Sequence, residues 1–221
     1  MDARQFLQSC KTRYHADPAP EEPIYGALVV GFSDRRRQSD LWMQLLFLDI
    51  WGAYHSRCKK EGLYRAFEFL PTFADAHSAT LSELSDKPLI ALKERDFKHL
   101  QKLATALDDG LRFDGRRAPT AWGKLLHFLL PQSVVMWDEE YVRTRYELES
   151  TPEAFVRYQQ FCKRAVQGLL EGSDPRTLEE NLELHRRQNE LRYREPITKL
   201  LDEFAYDRSG VKTLLAELGP P

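Results

Sequence analysis

Apolar residues recur along most of this chain at three- and four-residue spacing, the repeat of one face of an α-helix. Phe6, Leu7, Cys10 and Tyr14 predict a first helix over 3–16, followed by a proline-rich loop from Asp17 to Pro23. Tyr25 to Phe32 is the one β-like run, bracketed by Gly26 and Gly31. Ser39 and Asp40 cap a long helix predicted to reach Glu61, where Gly62 stops it. Its apolar residues, Leu41 to Trp51, fall on nearly every side, so the pattern places it centrally.

A shorter helix is predicted over 63–69, ended by Pro71, and another over 72–84. Phe97, Leu100, Leu103, Ala104 and Leu107 share one face of a helix over 94–111. Further helices are predicted at 120–130, 138–148, 152–171, 175–193, 196–206 and 209–218. Thr151-Pro152-Glu153 supplies an N-cap with proline at the first helical position. The reading is all-α, with roughly ten helices and at most a short N-terminal β-like segment. The 221 residues suit a single helical domain, or two subdomains, 1–115 and 116–221, with a cleft between them.

Composition narrows the function classes. A 42% hydrophobic, 30% charged chain is a folding one, and no apolar run approaches the roughly 20 residues that cross a bilayer. The N-terminus lacks a signal-peptide layout, so the expected setting is cytoplasmic, without a membrane partner and as a monomer. Cys10, Cys58 and Cys162 stand far apart, which argues against a disulfide framework or a cysteine metal site. His55, His77 and His99 are equally scattered, and phosphate-loop, dinucleotide and serine-elbow motifs are absent, so no cofactor or metal is expected. A formal net charge of −2 gives no global signature of nucleic-acid binding. Local basic clusters remain at Arg35-Arg36-Arg37, at Arg57 with Lys59 and Lys60, and at Arg116-Arg117.

The chemistry concentrates in Pro119-Thr120-Ala121-Trp122-Gly123-Lys124-Leu125-Leu126-His127-Phe128-Leu129-Leu130-Pro131, followed by Val134-Val135-Met136-Trp137-Asp138. One lysine stands near the head of an apolar helix, and one aspartate follows an apolar return. On spacing alone, an exposed lysine and a helix-capping aspartate account for both.

The order of parts resembles the helix-hairpin-helix DNA glycosylase superfamily, in its lysine-bearing, 8-oxoguanine-type branch, as a divergent bacterial member. Thr120 and Trp122 stand where that family's hairpin carries glycine. The resemblance implies base flipping, then attack of the Lys124 amine on the sugar C1′ of duplex DNA carrying a modified base, with or without strand-cleaving lyase activity. Asp138 would stabilise the charge developing on the sugar and accept the lysine proton. Trp122, His127, Phe128, Trp137 and, more remotely, Trp42 become candidates for contact with the everted base. Arg116, Arg117 and Arg35 to Arg37 become candidate phosphate contacts. Two other readings stand beside this one. They are a DNA-binding module without chemistry and a protein-interaction module using the charged helix over 174–194.

Overall fold

The computed structural model describes residues 6, 10, 38–50, 60–112, 114–171, 180 and 196–221, and the structural statements below concern these. Among them the fold is all-α, without a strand. The predicted β-like run, the basic cluster Arg35 to Arg37 and Cys58 lie outside the described residues. So do Trp51, His55 and nearly all of the predicted 175–193 helix.

The elements are α1 (Gln38–Ile50), α2 (Lys60–Ala76), α3 (Ser78–Ser85), a 3-10 turn (Leu89–Ala91) and α4 (Glu94–Gly110). There follow α5 (Pro119–Leu129), a π-turn (Glu139–Arg143), α6 (Pro152–Glu171), α7 (Ile197–Phe204) and α8 (Arg208–Leu218). Helix α1 packs on α2 and α5, while α4 packs on α6, α5 and α2. One continuous apolar cluster runs from Phe6 to Leu214, drawing on both halves of the chain. The helix expected over 152–171 is present with its cap, the Ala154 N–H donating to Thr151 Oγ1 at 3.1 Å.

Two expectations fail at the α1–α2 joint. Helix α1 is apolar on nearly every side but is not buried on every side: it buries Leu41, Leu45, Phe47 and Leu48 and exposes Trp42, Met43 and Leu46. Gly62 and Pro71 do not end helices; both lie inside α2. A mid-helix proline has no N–H for the carbonyl four residues back, here that of Phe67. The Trp42 indole N–H donates to that carbonyl at 3.2 Å, and its ring meets Phe67 edge-on. A hydrogen bond from a neighbouring helix thus replaces the one the proline removes, and α2 continues to Ala76.

Candidate active site

Helix α5 starts where proline at its first position costs no hydrogen bond. Every residue from Ala121 to Pro131 is buried, including Lys124 at 5% exposure. The turn after α5 is closed by the Ser133 and Val134 N–H groups donating to the Leu130 carbonyl. Val134 to Trp137 then runs back wholly buried, without helix or strand structure.

Buried irregular backbone must find partners for its polar groups. Beyond the Val134 N–H, side chains supply those of Val134 and Val135. His127 Nδ1 lies 2.6 Å from the Val134 carbonyl and so carries the proton it donates. The Val135 N–H donates to Gln159 Oε1 at 2.8 Å, and Gln159 Nε2 donates to the Val135 carbonyl at 2.9 Å.

Helix α5 and the return meet most closely at Gly123. A Cβ there would lie 2.5 Å from the Cβ of Trp137, a distance no real pair of carbons tolerates. Glycine permits the approach, and the next residue on each side, Lys124 and Asp138, is brought alongside. Lys124 Nζ stands 3.6 Å from Asp138 Oδ2, with side-chain exposures of 6% and 14%. That distance is a charge contact and lies beyond hydrogen-bond length. The other carboxylate oxygen caps the π-turn, accepting the Glu140 N–H at 2.9 Å and the Tyr141 N–H at 3.1 Å. The Glu139 N–H donates to Thr120 Oγ1 at 3.2 Å, tying the π-turn to the first turn of α5. The helix expected over 138–148 is therefore this π-turn with a short helical continuation to Arg145.

The other predicted site residues fall differently. Trp122, His127, Phe128 and Trp137 have no exposed surface. Trp122 donates to Asp108 Oδ1 at 3.1 Å and packs edge-on against Phe155. Trp137 packs against Phe155 and Tyr158, and Phe128 against Phe47. In this structure these rings fill the core and offer no face to a base. Trp42 is 40% exposed, but its indole N–H serves Phe67 of α2.

Arg116 is exposed. Arg117 is bound to the buried Asp108 carboxylate, Nε at 2.9 Å and Nη2 at 2.7 Å from Oδ2. That hydrogen bond holds the guanidinium's pKa above its ordinary value. Of the two, Arg116 is the one open to a phosphate.

Other chemistry is accounted for by packing and pairing. Cys10 and Cys162 are buried free thiols, and burial pushes the Cys162 pKa up, away from the reactive thiolate. Ligand atoms of Glu83, Asp96 and His99 lie within 4.8 Å of one another. Lys87 Nζ sits between the two carboxylates, 3.1 Å from Glu83 and 2.8 Å from Asp96, where a cation would sit. Arg95 adds a second positive charge at 3.0 Å from Glu83. The group is thus a compensated ion-pair network.

Sequence reading missed Gly123 as the contact point, Asp108 as the anchor of Arg117 and Trp122, and Gln159. The last left a signal: Gln159 interrupts the apolar stripe Phe155, Tyr158, Cys162, Ala165, Val166 of α6, and a polar residue on a buried stripe needs a partner. No protein-family model, curated protein or solved structure matches this chain, so Lys124 and Asp138 must be read from their own geometry.

Proposed function

We propose that the chain is a DNA N-glycosylase that excises a modified base, with Lys124 as nucleophile and Asp138 as its electrostatic partner. The observation that carries this reading is the 3.6 Å approach of amine and carboxylate from separate elements, with the second Asp138 oxygen held by backbone N–H groups. A carboxylate fixed in this way keeps its position while charge develops beside it.

The reaction needs the base flipped from the duplex, so that the sugar C1′ reaches Lys124. The Lys124 ammonium first passes a proton to Asp138 or to solvent. Its nitrogen lone pair then forms the N–C1′ bond as the glycosidic bond breaks, and the base departs with that electron pair and takes up a proton. The sugar ring opens to an iminium ion, which water hydrolyses. Thr120, Asp138, Glu139 and Tyr141 are half-buried and form the outer edge of the pair.

The test is incubation with duplexes carrying abasic sites and a panel of damaged or modified bases, under borohydride. Borohydride reduces the iminium to a stable adduct. The expected result is a covalent complex lost in Lys124→Gln and weakened in Asp138→Asn. No base release and no adduct across the panel contradicts the proposal.

Two observations favour a second reading, a DNA-binding or protein-interaction module without chemistry: the amine is almost closed to solvent, and two glutamates follow Asp138. In that reading the pair only fastens the return to α5. Salt-dependent binding to mismatched or abasic duplex without excision selects it on the DNA side. Absence of DNA binding at low salt, with a protein partner retained after Lys124→Gln, selects the interaction module.

A further inference from the structure

The return from Val134 to Trp137 lies in the core without belonging to a helix or a strand. Its path is therefore set by the side chains that satisfy its backbone. Gln159 is wholly buried, and its amide does for Val135 what a neighbouring β-strand would do, accepting from the N–H and donating to the C=O. Both bonds fall on one residue, so they fix the rotation of the chain there as well as its position.

Rotation matters because extended residues alternate sides. Trp137 must face Gly123, where the space for a Cβ is missing, while Asp138, extended at φ −132° and ψ 130°, must emerge toward Lys124. Val135 is two residues before Trp137 and three before Asp138. A change of rotation at Val135 exchanges the sides on which Trp137 and Asp138 emerge.

We infer that Gln159 is the positioning residue of the site: its amide sets the face on which Asp138 leaves the return, and so sets the pairing of Lys124. It touches neither member of the pair in this role. The inference rests on the reading of Lys124–Asp138 as the reactive centre, but its first readout does not depend on catalysis.

That readout is the acetylation rate of Lys124 by acetic anhydride, followed by mass spectrometry and divided by the rate of exposed Lys98 in the same molecule. In the intact protein the ratio is low, because Lys124 is buried and paired. Gln159→Leu removes both bonds to Val135, and the ratio is expected to rise about tenfold, with borohydride trapping falling by a similar factor. Leu169→Ala, ten residues or ~15 Å further along α6, is a cavity control of comparable instability, and it should leave the ratio unchanged.

Should Gln159→Leu fail to fold, Gln159→Glu carries the comparison. Its protonated carboxyl can both donate to and accept from Val135, whereas its carboxylate can only accept. The Lys124 ratio should then match the parent at acidic pH and exceed it at alkaline pH. An unchanged ratio in Gln159→Leu, an equal rise in Leu169→Ala, or a Gln159→Glu ratio that tracks the parent at every pH overturns the inference. If the parent protein traps no DNA while the labelling ratio responds to Gln159, the glycosylase reading fails and the positioning role stands.

Discussion

Among the described residues two buried lysines lie beside carboxylates, and they differ in the geometry of those pairs. Lys199 sits on α7 with Glu203 at 2.8 Å and Asp202 at 3.8 Å, one helical turn away, and none of the three side chains is more than 3% exposed. Lys124 meets Asp138 at 3.6 Å across two elements, and the aspartate reaches solvent at 14%. Helix geometry supplies Lys199 with these two carboxylates. Lys124 acquires its partner only because Gly123 admits Trp137 and because Gln159 and His127 hold the return. The pair within one helix is closed to solvent. The pair across two elements keeps its carboxylate fixed from behind and partly open, and it is this pair that the proposed nucleophilic chemistry uses.

The contrast can be broken most forcefully at Lys199. Lys199→Ala withdraws the ammonium from two buried carboxylates and should lower stability by about 3–5 kcal/mol in urea denaturation. A loss no larger than that of Lys124→Ala would mean the two lysines are not differently held.

Next in size is Gly123→Ala. Its methyl group collides with Trp137, so overpacking should cost about 1–3 kcal/mol and alter the near-ultraviolet dichroism of the tryptophans. An unchanged dichroism spectrum and an unchanged Lys124 acetylation rate would remove Gly123 from the account.

Acid sharpens the comparison with a third, non-reactive cluster. Burial works against the Asp96 carboxylate, but the Lys87 ammonium and the Lys93 N–H outweigh it and hold its pKa below the ordinary value. A lowered folded pKa gives stability that is complete above the ordinary carboxylate pKa. It is lost as pH falls through the folded value. Between about pH 6 and pH 3 the parent's melting temperature should fall further than that of Asp96→Asn. Parallel profiles would contradict this.

The smallest effect belongs to Trp42→Phe, which keeps the ring but withdraws the donor to Phe67. Because that donor is partly exposed, the cost should be about 0.5–1 kcal/mol. A larger loss would show that Trp42 supports more than the proline joint in α2.

How much of this was legible depended on how local its cause is. The face of α4 and the cap of α6 follow from residues within one or two turns, and both were readable. Whether Pro71 ends α2 depends on Trp42, a residue 29 positions earlier that supplies the missing donor, and no local pattern carries that. The Lys124 to Asp138 spacing was legible, and so was the order of helix, return and turn. Trp122 and Phe128 were read as candidates for base contact, and the structure buries both; α5 carries a signal for that, since from Ala121 to Leu129 its polar side chains are Lys124 and His127 alone. The glycine that brings the pair together was seen only as a displaced hairpin residue, because its function lies in a contact 14 residues away.

The most direct test maps the covalent adduct. The protein is trapped on abasic duplex with borohydride, digested, and the modified lysine identified by mass spectrometry. The account predicts an adduct on Lys124 and none on Lys199. An adduct on any other lysine in preference to Lys124, or no adduct at all, contradicts it.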